Sequence, residues 1–327
     1  MKKIFTKIIA WTFVFSVLLS TFVNAYDIEQ SVLNLLDGWY VPCNLDKNNQ
    51  MYFKANYIKH MKKHVNTILL GSSYLLSVSS EDAGSDFVNL SVGGSTFEDR
   101  INILGLLDYY GITYDRVIFE IDLASLNYKR QKIDGVFGYF GNRFLNILDG
   151  KPNEAKEEID FNKSYTEKPV FEMLNKYTIV DRPKDSFVYS KDLSIIYPNV
   201  IYVAKMQNTE DTKNFFYIND KKYFGMSISD DYKKIVDDIL NYFKSNNIKG
   251  NVIVVPRPNY VYDDLNLGTC PLFAEFEKFS RDMAYNHMFK FSGSLNPHLF
   301  GWTDDDFYDD FHPYPTSLSK GFDFKGY

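Results

Sequence analysis

Two short segments at opposite ends of the chain carry side chains suited to nucleophilic catalysis. The first, Gly71-Ser72-Ser73, directly follows the apolar run Thr67–Leu70, which predicts a buried strand. Because parallel strands present their carboxyl ends to one crevice, we expect the Ser73 hydroxyl to face a ligand. The alternative is that the serine pair only caps a helix, since serine side chains readily accept hydrogen bonds from backbone N–H groups.

The second segment is Asp309-Asp310-Phe311-His312-Pro313. One turn brings Asp309 and His312 side by side, so that the carboxylate orients the imidazole and stabilises its protonated form. His312 is then the base that takes the proton from Ser73. The alternative is an acidic surface loop, because Asp304, Asp305 and Asp306 crowd the same region.

A glycine turn supplies the third component of such a site. Asn89–Thr96 reads as a strand that breaks at Gly93-Gly94 before a helix. Backbone N–H groups in a turn of this kind stabilise a developing oxyanion if they lie beside the nucleophile. A simple strand-to-helix connection explains the same pattern.

The elements that must position these residues alternate between strand and helix. Ser95 and Glu98 have the spacing of a capping box, and Gly111 marks the helix end. Short apolar runs separated by helices predict a doubly wound α/β fold with a parallel sheet. The predicted elements are strands at 67–70, 87–91, 116–122 and 251–255, and helices at 96–110, 229–245 and 271–289.

Residues 1–25 and 128–228 stand apart from this pattern. Three lysines and an apolar run within residues 1–25 predict a cleaved export signal or an uncleaved anchor, and hence a secreted or membrane-associated protein outside the cytoplasm. Residues 26–327 are predicted to form one domain, with residues 128–228 as an insertion. Cys43 and Cys270 either pair in an oxidising exterior or remain two free thiols.

Charge and histidine placement bear on other classes of function. A net charge of −6 provides no basic field and disfavours nucleic acid as a partner. His60 and His64 are four residues apart, but the lysines around them favour a solvated surface over a metal site. A metal-dependent hydrolase using His298 with the acidic cluster Asp304–Asp310 is a weaker alternative, because the position of His298 between Pro297 and Leu299 favours a structural loop histidine.

In order along the chain, these segments resemble the sequence blocks of the SGNH (GDSL-type) hydrolase superfamily. The resemblance is closest to its cell-envelope branch, which includes D-alanyl-teichoic-acid transfer proteins and polysaccharide O-acetyltransferase-like proteins. Gly71–Ser73 corresponds to the serine block, Asn89–Gly94 to the glycine block, Val117–Asp122 to the third block, and Asp309–His312 to the Asp-x-x-His block. The blocks span residues 66–127 and 250–315.

The resemblance implies a flavodoxin-like sheet and a role for each matching residue. Ser73 is the implied nucleophile, His312 the general base and acid, and Asp309 the orienting carboxylate. Backbone N–H groups of Ser73 and of Gly93 or Gly94 form the implied oxyanion hole. Asp122 departs from the family pattern, because a carboxylate stands where a side-chain amide donor is usual and repels an oxyanion unless it is protonated.

The implied reaction is acyl transfer through an acyl-serine, without a cofactor or a metal. The partners are then an acyl donor and a glycan or polyol acceptor of the cell envelope, with water as acceptor in a hydrolase. The altered third block leaves a second hypothesis open. This is a catalytically inactive protein of the same fold that binds carbohydrate or assists envelope assembly.

Overall fold

A five-stranded parallel sheet forms the centre of the chain. The computed structural model describes residues 29, 31–38, 41–43, 47–135, 137–153, 187–196, 227–264, 270–309 and 311–325. The strands are β1 (Val41–Pro42), β2 (His64–Leu70), β3 (Phe87–Asn89), β4 (Thr113–Glu120), β5 (Val188–Tyr189), β6 (Ile195–Ile196), β7 (Lys249–Val254) and β8 (Lys290–Gly293). The helices are α1 (Lys47–His60), α2 (Ser80–Ala83), α3 (Phe97–Tyr110), α4 (Gly138–Leu148), α5 (Asp230–Ser245), α6 (Asn259–Asp264), α7 (Pro271–Asn286) and α8 (Pro315–Gly321).

The order of strands across the main sheet is β3-β2-β4-β7-β8, and every pairing is parallel. Counted along the chain, this is the order 2-1-3-4-5 found in flavodoxin-like folds. Alternate strand residues enter two apolar clusters. Ile68 and Val117 belong to the larger one, whereas Leu69 and Ile118 pack with Trp302 in the smaller one. Both faces are therefore covered, and the predicted α/β fold with a parallel sheet is confirmed.

Helix α5 confirms the helix predicted at 229–245. Its side chains at Tyr232, Ile235, Val236, Ile239, Leu240 and Phe243 are all buried. Ser229 caps the helix, since its side chain accepts a hydrogen bond from the backbone N–H of Tyr232. A stripe of this width on a sixteen-residue helix is what packing against a sheet requires.

Helix α3 begins one residue later than its predicted capping box. The backbone N–H and hydroxyl of Thr96 donate to the Asp99 carboxylate at 2.6 and 2.9 Å. The predicted pair, Ser95 and Glu98, is therefore wrong by one position. Ser95 instead donates to the carbonyl of Gly71, just after β2, at 3.1 Å. The predicted helix end is confirmed, because Gly111 adopts the left-handed conformation at φ 65°.

The basic stretch before β2 is not a uniformly solvated surface. Lys54 lies on α1 and is fully buried, with Nζ donating to the carbonyl of Asn89 at 2.8 Å. His60 ends α1 while His64 begins β2, so the two histidines do not share a helical face. They lie instead against different carboxylates, those of Glu29 and Asp115.

Strand β8 was not predicted from the sequence. The helix expected at 271–289 ends at Asn286, and Phe291 lies in β8 beside Val252 of β7. Only one large apolar residue occurs in Lys290–Gly293, so the segment lacks the pattern of a buried strand. Because β8 lies at the edge of the sheet, it does not need the continuous apolar pattern of a central strand.

A second, small sheet joins two strands of the region predicted as an insertion to β1. Strand β5 pairs with β1 and with β6, both antiparallel. The backbone N–H of Ile195 donates to the carbonyl of Leu76 at 2.7 Å, and the N–H of Asn89 donates to Asp192 at the same distance. The β5–β6 hairpin thus lies against the segment that follows Ser73. The rest of the predicted insertion, at 154–186 and 197–226, lies outside the described residues.

The thiols of Cys43 and Cys270 are both free. Of the two alternatives for these residues, the structure therefore has the unpaired one. The predicted export signal or anchor at 1–25 lies outside the described residues. Within the described ranges, no helix is long and apolar enough to cross a membrane.

Candidate active site

Ser73 lies where β2 ends, at the carboxyl edge of the sheet. Strand β2 finishes at Leu70, and Ser73 opens a 3₁₀ turn that extends to Leu75. Gly71 permits this close turn, because a Cβ there would lie 3.0 Å from both the Glu120 carboxylate and the Ser91 hydroxyl. A larger residue would force these neighbours apart.

Ser72 occupies the capping position of this turn but does not cap it. Its side chain makes no capping hydrogen bond. The hydroxyl instead donates to Glu120 Oε1 at 3.0 Å, and its backbone N–H donates to Oε2 of the same carboxylate. The simple capping explanation of the serine pair therefore fails. Ser72 is tied into the buried sheet edge, while Ser73 stays half-buried.

Asp309 and His312 are brought together by a tight loop before α8. The backbone N–H of Tyr308 donates to the carbonyl of His312 at 3.0 Å, and Phe307 bridges to Pro313. The Asp309 Oδ1 atom accepts the backbone N–H groups of Phe311 and His312, at 2.8 and 2.6 Å. These two backbone bonds fix the position of the carboxylate beside the imidazole.

The three predicted catalytic side chains form one hydrogen-bonded chain. Nδ1 of His312 lies 2.7 and 2.9 Å from the two carboxylate oxygens of Asp309. Nε2 of the same ring lies 2.8 Å from the Ser73 hydroxyl, although the two residues are 239 positions apart in sequence. This arrangement can move a proton from an alcohol to an imidazole whose charge a carboxylate stabilises.

Aromatic rings fix the plane of the imidazole. Tyr308 stacks on His312 with centroids 5.4 Å apart and an interplanar angle of 11°. The Tyr74 ring lies 5.2 Å from the same imidazole, at a tilt of 36°. Neither tyrosine was predicted from the sequence to belong to the site. Their adjacency to Ser73 and Asp309 in the sequence was the available signal.

The local environment favours an ionised Asp309. Burial alone would raise the pKa of its carboxyl group. Hydrogen bonds from His312, the charge of that ring and the two backbone N–H groups outweigh burial, and the pKa lies below its ordinary value. The carboxylate is therefore ionised in the neutral pH range, as an orienting group for His312 must be.

The predicted oxyanion donors are not equivalent. The N–H of Gly93 donates to the side-chain oxygen of Gln50 at 2.9 Å, so an oxyanion would have to displace this buried amide. Gly94 follows at φ 64°, in the turn closed by Ser95 and Val92. None of the described residues accepts a hydrogen bond from the backbone N–H of Ser73 or Gly94. These two are the donors with capacity for an oxyanion.

The acid of the altered third block belongs to a buried charge cluster. Asp122 forms an ion pair with Arg100, which also donates to the Glu120 carbonyl at 3.0 Å and lies 3.5 Å from the Glu120 carboxylate. All three side chains are buried. Burial raises the pKa of Glu120. The charge of Arg100 and the hydrogen bonds from Ser72 act in the opposite direction and limit this rise. Asp122 is thus held by a cation and has no capacity to donate to an oxyanion.

Arg100 was missed because its helix reads as apolar. It follows Phe97 by three residues, on the face of α3 that packs on the sheet, and its guanidinium lies over the Phe97 ring. A cation on such a face was the signal available in the sequence, since buried charges are paired. It could have been matched to the unexplained acids of the third block.

The residues of the metal alternative do not assemble. His298 contacts the carboxylate of Asp263 at 2.9 and 3.0 Å, while Asp304 accepts the backbone N–H of Tyr260. Asp306 accepts hydrogen bonds from Thr303 and Ser317. Among the described residues, no three side chains of the metal-binding types cluster.

Comparison with known proteins gives no relative for this chain. No protein-family model matches it. No curated protein and no solved structure is significantly similar to it. The function of this chain is therefore inferred from its fold and from the geometry around Ser73.

Proposed function

We propose that this chain is a serine esterase or O-acyltransferase of the SGNH type that works through an acyl-serine intermediate. The observation that carries the proposal is the continuous hydrogen-bonded chain from Ser73 through His312 to Asp309. Its position at the carboxyl edge of a parallel sheet is where open α/β folds bind ligands. The sequence blocks of the SGNH superfamily add the expected roles of these residues.

The proposed reaction has two half-reactions. Ser73 attacks the carbonyl carbon of an ester or thioester while His312 Nε2 takes the hydroxyl proton. The N–H groups of Ser73 and Gly94 stabilise the tetrahedral oxyanion. His312 then gives its proton to the leaving alcohol or thiol, and the acyl group remains on Ser73. In the second half-reaction His312 deprotonates water or an acceptor hydroxyl, which attacks the acyl-serine and regenerates the serine.

A cavity with many hydroxyl and carboxylate side chains in its lining supports a polyol or glycan acceptor. It has a volume of about 650 Å³, and its lining residues Ser77 and Pro315 are four and three positions along the chain from Ser73 and His312. Hydroxyl and carboxylate side chains dominate its walls, including Ser79, Asp82 and Ser319. Such groups suit hydrogen bonding to the hydroxyls of a sugar or polyol. Export, expected from residues 1–25, makes an envelope or secreted glycan the proposed acceptor.

One observation favours the second hypothesis, a non-catalytic carbohydrate-binding or envelope-assembly protein. The bond from Gly93 to Gln50 removes one predicted oxyanion donor, and Asp122 provides no replacement. In enzymes of other folds, loss of one donor lowers the rate by about 10² to 10³. The hypotheses therefore differ in whether the Ser73 hydroxyl reacts at all.

Labelling with a fluorophosphonate probe tests the proposal. We expect folded wild type and Ser72→Ala to label and Ser73→Ala not to label, because the Ser73 hydroxyl lies 2.8 Å from His312 Nε2 whereas the Ser72 hydroxyl donates to Glu120. Ser72 is a matched control, being the adjacent serine at the start of the same turn. If wild type is folded by circular dichroism but does not label, the proposed enzymatic function is refuted and the hypothesis of a non-catalytic binding protein is supported. Equal labelling of wild type and Ser73→Ala excludes Ser73 as the nucleophile.

A further inference from the structure

A second arginine lies at the same edge of the sheet as Ser73. Arg257 follows β7, and its backbone N–H donates to the carbonyl of Leu295, just after β8, at 3.0 Å. Strand β7 is two positions from β2 in the sheet, with β4 between them. At a spacing of about 4.8 Å between neighbouring strands, the ends of β2 and β7 are about 10 Å apart.

Tyr74 links Arg257 to the catalytic residues. The Arg257 guanidinium carbon lies 4.6 Å from the centre of the Tyr74 ring, which itself lies 5.2 Å from the His312 ring. Burial raises the pKa of Tyr74, and the nearby Arg257 opposes that rise. The guanidinium and the imidazole therefore share one neighbouring ring.

Arg257 has no ion-pair partner among the described carboxylates. Arg100, Arg130 and Arg143 each form an ion pair with an aspartate, whereas Arg257 forms none with the described residues. Its Nη1 atom is buried and has no hydrogen-bond partner among them. A largely buried guanidinium without an ion-pair partner is unfavourable, so an anion that approaches its partly exposed side is favoured.

The nearby carboxylates of Glu120 and Asp122 do not prevent Arg257 from binding an anion. Glu120 and Asp122 line a void of about 10 Å³ together with Arg257 and Tyr74, but Arg100 contacts both carboxylates. That void holds at most a water molecule. A larger anion must therefore approach Arg257 from its partly exposed side, at the carboxyl edge of the sheet.

We propose that Arg257 binds a carboxylate or phosphate group of the substrate, a few bonds from the carbonyl that Ser73 attacks. This inference rests on the proposed acyl-transfer function and adds a substrate class to it. A planar guanidinium matches the oxygens of either anion with two parallel hydrogen bonds. The anionic group belongs either to the acyl group or to the leaving alcohol. Esters that carry the charge on one side or the other distinguish these two possibilities.

Two matched pairs of esters test the inference. 4-Acetoxybenzoate and its methyl ester differ by one charge on the leaving group, while p-nitrophenyl hemisuccinate and p-nitrophenyl butyrate differ in the acyl group. We expect kcat/KM of wild type to favour the anion in one pair by about tenfold to a hundredfold. Arg257→Gln should remove that preference and Arg257→Lys should keep part of it. Arg281→Gln is the control, since Arg281 is exposed and also lies over an aromatic ring.

Inorganic phosphate gives a readout that does not need turnover. With Ser73→Ala, we expect phosphate to raise the melting temperature, and this shift should disappear when Arg257→Gln is added. If wild type hydrolyses no ester but phosphate still raises its melting temperature, the proposed reaction is refuted while the anion site at Arg257 is supported. Equal preference for the neutral and charged esters, or an unchanged phosphate shift in a folded Arg257→Gln protein, overturns the inference.

Discussion

Replacing Asp309 by asparagine isolates the role of its charge from its role in the fold. Asp309 Oδ1 accepts two backbone N–H groups, and Oδ2 is the oxygen nearer to His312 Nδ1, at 2.7 Å. An asparagine has one acceptor oxygen and one NH₂ donor. If its oxygen keeps both backbone bonds, its NH₂ group takes the position of Oδ2. The loop should therefore survive the change, while the bond to the imidazole is reversed.

This reversal puts the imidazole in the wrong tautomer. An NH₂ donor facing Nδ1 favours the form in which Nε2 carries the proton. Nε2 lies 2.8 Å from the Ser73 hydroxyl and can then no longer accept its proton. The equivalent change in a Ser-His-Asp protease lowers kcat about 10⁴-fold. We expect a similar loss for Asp309→Asn, which corresponds to about 5.4 kcal/mol in activation free energy.

The measurement is kcat with an activated ester, together with the rate of fluorophosphonate labelling. Asp305→Asn is the matched control, because it removes the same charge from an exposed position in the same acidic segment. That control should retain wild-type kcat. If a folded Asp309→Asn protein keeps more than about a tenth of wild-type kcat, the carboxylate does not set the tautomer and the reasoning is refuted.

The same variant should change the dependence of stability on acid. Although burial opposes ionisation of Asp309, its hydrogen bonds lower the folded-state pKa below the unfolded value of about 3.9. Its carboxylate therefore contributes stability above about pH 4, and that contribution is lost as pH falls through the folded-state pKa. Urea unfolding at several pH values should show a weaker acid destabilisation in Asp309→Asn than in wild type. An identical pH dependence in both proteins would contradict the assigned hydrogen bonds.

Three further predictions concern the elements that hold the site. Arg100→Met should lower the free energy of unfolding by about 3–5 kcal/mol, because it leaves the buried carboxylates of Glu120 and Asp122 without their cation, and an unchanged urea midpoint would count against this. Burial lowers the pKa of Lys54 to about 7, so stability should rise by up to about 1.4 kcal/mol per pH unit between about pH 7 and 10, and Lys54→Met should abolish that rise in urea titrations. Gly105→Ala would place a Cβ 1.8 Å from a backbone carbonyl oxygen of α4, and we expect a loss of about 3 kcal/mol, which a melting temperature equal to wild type would disprove.

The parallel sheet was predictable because its strands carry local signals. Thr67–Leu70 is a short apolar run bounded by a glycine, and α5 repeats apolar residues at helical spacing. Element ends were less predictable. The cap of α3 is Thr96 rather than Ser95, since neighbouring residues of similar chemistry compete for one position. Strand β8 has almost no local pattern, and its place in the sheet depends on β7.

The buried charges could not be predicted from nearby sequence. Lys54 belongs to a basic stretch that reads as surface, yet its partner is the carbonyl of Asn89 on a strand 35 residues away. Arg100 is similarly matched to acids on β4 and just after it. A buried charge is tolerated only where tertiary packing supplies its partner, and local periodicity carries no information about that partner.

By itself, the sequence determined which chemical groups are present and that Ser73 follows a strand. It also placed Asp309 and His312 within one turn of each other, a distance that the chain fixes locally. Only the tertiary structure decided that this loop meets Ser73 across 239 residues, and that Gln50 takes the N–H of Gly93. Proton transfer requires hydrogen-bond contact, and a contact of that accuracy between remote segments depends on strand order and on the packing of the whole core.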